Sequence, residues 1–398
     1  MNRRWIAGTA VAVAALAGGT GQAHAGTLLA STATAGKAQP QNCIKRPLPA
    51  GPGVVRRSAK AGGVGFVTAT LEAARGDWDL AVFDARTRRL VAGSANFGSD
   101  ERAQGFSTGP QSLIVQACRR SGSARTARIA VTSTALKTPS APVKLSLVRV
   151  LLPNRERKDE LTRMGLDLTE HGGRNYVEVI LHGAEDAKRL QEAKFAYTVE
   201  VADLYRQSKL DRAAEQRSST RAVASALPSG RTGTYRRLPD YNQEMKTLAE
   251  QNPSLVKPLT LPFKTLTGMS VQGIEITEDV TERDGKPVFL QMGVHHAREW
   301  PSAENAFEFA YELVKGYKAG DARVRRLMKS SRVIVVPIVN PEGFNTSREA
   351  GQAQGVAGGR PGNDTIETAN LALFQYEYQR KNCRVNSFDP AVPDPERG

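Results

Sequence analysis

The hydrophobic pattern of this chain changes twice along its length, and these changes limit the folds that are open to it. In residues 64–150, short apolar runs alternate with Gly-containing turns, as in the strands of an all-β sandwich. Residues 158–205 read as short strands and helices in β-α-β order, which is typical of a small ferredoxin-like module. From residue 235 onward, strands alternate with longer amphipathic helices such as 301–317, which indicates an α/β fold with a mixed sheet.

The 398-residue chain is therefore predicted to be multidomain, because about 100–200 residues suffice for one domain. Residues 206–234 are polar, show no apolar period and are interpreted as a linker. For the small α+β module, a plain linker domain is the alternative. The predicted segments are a leader (1–25), an accessory β-sandwich (26–150), the small α+β module (151–205), the linker (206–234) and an α/β domain (235–398).

The first 25 residues have the organisation of a secretory signal peptide. Arg3 and Arg4 precede an apolar run at 6–17, and the small residues Ala23 and Ala25 supply a cleavage site. A short buried helix is the alternative interpretation. The run is too short to span a bilayer, and no later stretch is long and apolar enough to do so. We therefore predict a secreted, extracellular protein without a membrane anchor.

The net charge and the cysteines bear on the predicted partners and on the predicted disulfide. The formal net charge is +15, but the basic residues are spread along the chain and form no cluster with aromatic residues. Nucleic acid is therefore not a predicted partner. In an oxidising compartment Cys43 and Cys118 could form a disulfide, a pairing that the sequence leaves open. Cys383 would then be left without a partner.

The segment 293–299, Gly-Val-His-His-Ala-Arg-Glu, follows a predicted strand and precedes a predicted helix, where open α/β sheets place ligands. A His and a Glu three residues apart can reach one metal ion if the backbone between them turns, and both are ordinary zinc ligands. Spacing alone is a weak signal, because His182 and Glu185 match it equally well. A negative charge at a helix N-terminus explains Glu185, so we predict no metal at that copy.

The longer string Gly-Val-His-His-Ala-Arg-Glu-Trp-Pro-Ser at 293–302 resembles the zinc-binding signature of the secreted zinc carboxypeptidases of the carboxypeptidase A/B type. The resemblance continues in the Asn-Pro-Glu-Gly turn at 340–343. It implies that His296 and Glu299 bind Zn²⁺. It also implies that Arg298 faces the substrate groove and that Arg380 stabilises the oxyanion. A surface salt bridge is the alternative role for Arg380.

This resemblance implies a secreted zinc-dependent carboxypeptidase that removes C-terminal residues from peptide or protein substrates. It also implies that the module at 151–205 is a pro-region that covers the active site in cis. The family has a third zinc-binding histidine further along, whereas no histidine follows His296 in this sequence. We therefore expect segment 235–398 to hold only the N-terminal part of the catalytic domain and to be inactive alone. The alternative is a non-catalytic secreted binding protein that retains a carboxypeptidase remnant.

Overall fold

The part of the chain that the computed structural model describes includes all three regions predicted from the hydrophobic pattern. Among these residues, no helix has the length and apolar character needed to cross a membrane. The predicted leader, Arg380 and Cys383 lie outside the described residues. The described residues are 26–135, 145–204, 206–207, 210–211, 213–214, 227–232, 234–265 and 267–350.

Residues 26–135 form two four-stranded antiparallel sheets around one hydrophobic core. In chain order the strands are β1 (Gly26–Thr34), β2 (Val54–Ala61), β3 (Val64–Ala73), β4 (Asp77–Asp84), β5 (Leu90–Ser94), β6 (Asp100–Thr108), β7 (Gln111–Ser121) and β8 (Thr126–Ala135). One sheet has the order β1-β8-β3-β6 and the other the order β2-β7-β4-β5. Side chains of both sheets, among them Val67 and Leu80, are fully buried in the shared core. A disulfide between Cys43 and Cys118 joins the segment after β1 to β7.

Residues 145–201 form a separate four-stranded antiparallel sheet with two helices. The elements are β9 (Leu145–Leu151), α1 (Arg155–Arg163), β10 (Asp167–Gly173), β11 (Tyr176–His182), α2 (Ala184–Glu192) and β12 (Tyr197–Val201). The sheet order is β10-β11-β9-β12. The sequence pattern grouped β9 with the N-terminal strands, but the structure pairs it with β11 and β12. An alternating pattern identifies a strand but not its partner, which explains the difference.

Residues 238–350 form a mixed four-stranded sheet with helices, as the sequence predicted for this segment. The elements are α3 (Leu238–Gln251), β13 (Val256–Lys264), β14 (Ser270–Ile276), β15 (Val288–Met292), α4 (Trp300–Ala319), α5 (Ala322–Ser330), β16 (Arg332–Val336) and α6 (Pro341–Ala350). The sheet order is β13-β14-β16-β15, and only the β15–β16 pair of this described sheet is parallel. Phe307, Ile274 and Val333 are fully buried in the core between sheet and helices.

Helix α3 attaches this third region to the N-terminal sheets through a buried ion-pair cluster. The Nζ atom of Lys246 lies 2.8 Å from Asp77 and 2.9 Å from Asp79, both on β4. The Asp79 and Lys246 side chains are almost entirely buried. Burial raises the pKa of Asp79, and the opposing charge of Lys246 offsets only part of that rise. The mixed sheet is thus held in a fixed position against the first two sheets.

Candidate metal centre

The loop after β15 carries the predicted site, and it is fixed by backbone hydrogen bonds to the segment after β16. The amide of Gly293 donates to the carbonyl of Val336 at 3.1 Å, and the amide of Asn340 donates to the carbonyl of Val294 at 3.2 Å. A Cβ atom at Gly293 would lie 2.6 Å from the Pro337 carbonyl oxygen. Because that neighbour is backbone and cannot rotate away, glycine is required at this position.

A residue with left-handed backbone conformation precedes the two predicted ligands. Val294 has a φ of 49°, which is rare for a β-branched residue. Its amide donates to Oγ of Ser302 at 2.8 Å, which holds the turn against the start of α4. The amide of Glu299 donates to the carbonyl of His296 at 3.1 Å, closing a second turn. As a result, Nδ1 of His296 lies 2.7 Å from Oε1 of Glu299.

The Asn-Pro-Glu-Gly turn at 340–343 supports the same loop from the other side. Asn340 is buried, and its Nδ2 atom donates to the carbonyl of His295 at 3.4 Å. Its Oδ1 atom accepts a 2.8 Å hydrogen bond from the amide of Gly343. A Cβ atom at Gly343 would lie 2.8 Å from the Cβ atom of Ala297, so the turn needs glycine to pack this closely. The two sequence motifs therefore form one structural unit.

Arg298 lies between the two predicted ligands in sequence, and its side chain contacts the small α+β module. Its Nη1 atom donates to both carboxylate oxygens of Asp167, at 3.2 and 3.1 Å. Asp167 also lies 3.1 Å from Nε2 of His182. Burial raises the pKa of Asp167, but the His182 hydrogen bond and the Arg298 charge outweigh that effect, and the pKa lies below its usual value. Asp167 is thus ionised where the module meets the loop.

The same strand of the module brings a third side chain of a metal-ligand type close to His296 and Glu299. Oε1 of Glu170, on β10, lies 3.7 Å from Nδ1 of His296. One donor atom from each of Glu170, His296 and Glu299 lies within 4.8 Å of the other two. Sequence analysis missed Glu170, because nothing in its local pattern distinguishes it from an ordinary exposed strand residue. Its neighbour Asp167 contacts a residue 131 positions away, a distance at which no sequence periodicity gives a signal.

The donor set fits zinc. One imidazole nitrogen and two carboxylate oxygens are ligand types that zinc uses, and catalytic zinc sites have three protein ligands. The His296–Glu299 separation of 2.7 Å is that of a hydrogen bond. Two donors on a tetrahedral zinc lie roughly 3.4 Å apart, so these two side chains must separate slightly to share an ion. Both are partly exposed, with 28% and 33% of the side chain accessible, which permits such a movement.

A comparison with protein families identifies the region that holds this site. The model of the zinc carboxypeptidase (peptidase M14) family matches residues 241–390. Residues 241–390, which match this family model, are called the zinc carboxypeptidase segment below. This assignment confirms the resemblance that the sequence motifs implied, and it covers both the 293–302 string and the 340–343 turn.

Individual carboxypeptidases match parts of the same chain. Human carboxypeptidase D is 35% identical over 89 residues, which is 22% of this chain and 6% of that protein. Mouse carboxypeptidase A2 is 28% identical over 114 residues, which is 28% of this chain and 25% of that protein. A zinc carboxypeptidase of Saccharothrix mutabilis subsp. capreolus is 25% identical over 139 residues, 35% of this chain and 31% of that protein. The matches thus span under a third of each relative.

A solved structure of carboxypeptidase A from Helicoverpa armigera is 15% identical to the chain, with a TM-score of 0.44. The alignment covers 63% of this chain and 56% of that one. Within the zinc carboxypeptidase segment itself, the structure brings the predicted ligands His296 and Glu299 together. It places Arg298 beside the site, and the predicted role of Arg298 in substrate binding stays a prediction. Arg380 lies outside the described residues, so its role stays a prediction as well.

Proposed function

We propose that the zinc carboxypeptidase segment holds Zn²⁺ through His296 and Glu299 and derives from a secreted enzyme that removes C-terminal residues from peptides. The observation that carries this proposal is the contact of 2.7 Å between Nδ1 of His296 and Oε1 of Glu299. It occurs on a loop whose sequence resembles the zinc signature of the family. The backbone of this loop is held by hydrogen bonds that Val294 makes with Ser302 and Asn340.

The residues of this chain have distinct parts in such a site. Bound zinc would lower the pKa of a water ligand to about 7 and polarise the scissile carbonyl. Asn340 holds the carbonyl of His295, which fixes the orientation of the neighbouring His296 backbone. Arg298 supplies a positive charge beside the metal ligands, where a peptide carbonyl or carboxylate would be attracted. Arg380 is proposed to stabilise the oxyanion, the role that the family resemblance implies.

The 398-residue chain itself is proposed to bind zinc without hydrolysing peptides. It contains five histidines, and none follows His296, whereas the family uses a third histidine further along as a ligand. Fewer imidazole ligands should hold the ion less tightly and orient a bound water less well. A non-catalytic secreted binding protein with a carboxypeptidase remnant is the second candidate. The ion pair between Arg298 and Asp167 favours it, since it engages the positive charge that a substrate would need.

The two N-terminal regions complete the proposal. Residues 26–135 are proposed to be an accessory β-sandwich, and residues 145–204 a ferredoxin-like, pro-region-like module that covers the site in cis. The Asp167–Arg298 contact supports the second assignment, because it joins the module to the loop that carries His296 and Glu299. The apolar leader and the Cys43–Cys118 disulfide support export to an oxidising compartment.

The test is zinc binding by the full chain, measured by metal analysis after dialysis against limiting Zn²⁺. We expect about one zinc ion per chain for the wild type and none for His296→Ala. His295→Ala is the matched control, because it removes an exposed imidazole from the adjacent position and should retain the metal. Equal zinc content in wild type and His296→Ala would refute the site.

A peptidase assay separates the two candidate functions. The zinc-loaded chain is incubated with peptides of different C-terminal residues, and released amino acids are detected by mass spectrometry. We expect no release. Zinc-dependent release that is lost in His296→Ala would instead show that this chain is a working carboxypeptidase, and it would exclude the non-catalytic candidate.

A further inference from the structure

The small α+β module contributes more than a cover to the metal centre. Two acidic residues of β10 contact the loop at 293–299: Asp167 pairs with Arg298, and Glu170 approaches His296. Arg298 lies between the two family ligands in sequence. Strand β10 therefore contacts this loop at two residues, and these contacts set the position of the Glu170 carboxylate relative to His296.

The strand has an irregularity at the position of Glu170. In the β10–β11 pairing, Leu168 lies opposite Val179 and Gly172 lies opposite Val177. The three residues between Leu168 and Gly172 therefore oppose the single residue Glu178. Such a bulge bends the strand and redirects its side chains, and bulges are common next to functional sites. Oγ1 of Thr169 accepts a 3.1 Å hydrogen bond from the amide of His171, which stabilises the bulged backbone around Glu170.

The charge and spacing of the three side chains suit a divalent cation. Oε1 of Glu170 lies 3.7 Å from Nδ1 of His296, close to the roughly 3.4 Å expected for two donors on one tetrahedral zinc. The donor atoms of Glu170 and Glu299 lie within 4.8 Å of each other, so both carboxylates could contact one cation. Their two negative charges would together balance the charge of Zn²⁺.

We propose that Glu170 is a third ligand of the zinc ion, supplied by the small α+β module to the two family ligands His296 and Glu299. The proposal rests on the proposed function, because it assumes that His296 and Glu299 bind the metal. It gives the site three protein ligands. It also makes zinc a bridge between the module and the carboxypeptidase segment, so that docking of the module and metal binding stabilise each other.

The test is the zinc affinity of the full chain, measured by competition with a chromogenic chelator. Removal of a ligand should weaken binding at least as much as loss of a second-shell partner, so Glu170→Gln should raise Kd by more than about tenfold. Glu170→His replaces one zinc ligand by another and should recover most of the lost affinity. Glu185→Gln is the matched control, because it removes an exposed carboxylate from the same module and should leave Kd unchanged.

A second measurement reads the coordination directly. Cobalt(II) replaces zinc, and its visible absorption depends on the number and type of ligands. We expect the spectrum of Glu170→Gln to differ from that of the wild type, and the spectrum of Glu185→Gln to match it. Glu170 is half-exposed, so Glu170→Gln should fold normally, which thermal unfolding in the absence of metal would verify.

The outcomes distinguish the two proposals. If the wild type does not bind zinc, or if His296→Ala binds it equally well, the proposed function fails. If His296→Ala abolishes binding while Glu170→Gln and Glu185→Gln both bind like the wild type, the proposed function stands and the third ligand is refuted. In that case Glu170 takes no part in metal binding. Failure of Glu170→His to recover affinity lost in Glu170→Gln would also count against a ligand role.

Discussion

The chain contains the same His-x-x-Glu spacing twice, at 182–185 and at 296–299, and the two copies have different structures. In the first, Glu185 lies exposed in the opening turn of α2, and Nε2 of His182 contacts Asp167 at 3.1 Å. In the second, His296 and Glu299 contact each other at 2.7 Å. The two copies have equal spacing, but His182 contacts Asp167 whereas His296 contacts its own Glu299.

The backbone before each glutamate explains the difference. His182 ends a strand, and its amide donates to Oδ2 of Asp186, which directs the chain straight into α2. His296 follows a left-handed residue, and the turn closed by the Glu299 amide directs both side chains to the same side. Helix α4 begins only after Glu299. The comparison teaches that the side chains of a His-x-x-Glu pair contact each other when a turn, rather than a helix start, lies between them.

The largest expected contrast is in zinc affinity. Glu299→Gln should raise the Kd for zinc by about a hundredfold, because it removes a charged ligand, whereas Glu185→Gln should not change it. Competition with a chromogenic chelator measures both variants of the full chain. A similar loss in the two variants would show that the comparison between the copies is wrong and that zinc binds elsewhere.

The next largest contrast is between Gly293, which precedes the 296–299 copy, and Gly183, which lies within the 182–185 copy. At Gly293 a Cβ atom would lie 2.6 and 2.7 Å from two backbone oxygens, so Gly293→Ala should cost about 2–3 kcal/mol of unfolding free energy and weaken zinc binding. Gly183 has a φ of 102°, so Gly183→Ala should cost about 1–2 kcal/mol but leave zinc affinity unchanged. Urea unfolding and zinc titration check both. Normal zinc affinity in Gly293→Ala would contradict the role assigned to the turn.

Asp167 connects the two copies, since it accepts hydrogen bonds from His182 and from Arg298. Asp167→Asn should lower the free energy of unfolding by about 2 kcal/mol, because a largely buried cation loses its counter-charge. Asp159→Asn, an exposed position on α1, is the control and should cost less than about 0.5 kcal/mol. Urea unfolding of the metal-free chain measures both variants. An equal effect of the two substitutions would show that the module is not held by Asp167.

The sequence predicted elements whose signals are local. The amphipathic pattern at 301–317 predicted the helix that the structure shows at Trp300–Ala319. The resemblance predicted that His296 and Glu299 lie together, because it is carried by a contiguous string of residues. These patterns depend only on residues close together in the sequence, so they can be recognised without knowledge of the tertiary contacts.

What the sequence did not predict depends on contacts between distant segments. The pairing of β9 with β11, the approach of Glu170 and the partner of Arg298 each join residues that lie far apart in the chain. The left-handed conformation of Val294 is also hidden, because β-branched residues usually disfavour it. The tertiary structure imposes that conformation through hydrogen bonds: the Val294 amide donates to Ser302, and the Val294 carbonyl accepts from the Asn340 amide.

The smallest expected effect is the pH dependence of the stability that Asp167 contributes, since Asp167 contacts His182 of the first copy and Arg298 of the second. Its pKa is lowered in the folded state, so between the folded value and about 3.9 the unfolded chain binds more protons. Its stabilising contribution is therefore complete above about pH 5, and it is lost as the pH falls through the folded pKa. The difference in unfolding free energy between wild type and Asp167→Asn should shrink over that range, with a slope of at most about 1.4 kcal/mol per pH unit.

The His182 hydrogen bond lowers the pKa of Asp167 more than the charge of Arg298 does. His182→Ala should therefore move the acid transition of this difference to higher pH, and it should move it further than Arg298→Ala does. Urea unfolding of each variant with and without Asp167→Asn, at several values between pH 3 and pH 7, measures both transitions. If Arg298→Ala has the larger effect, the pKa of Asp167 is controlled mainly by the loop at 293–299 and not by His182.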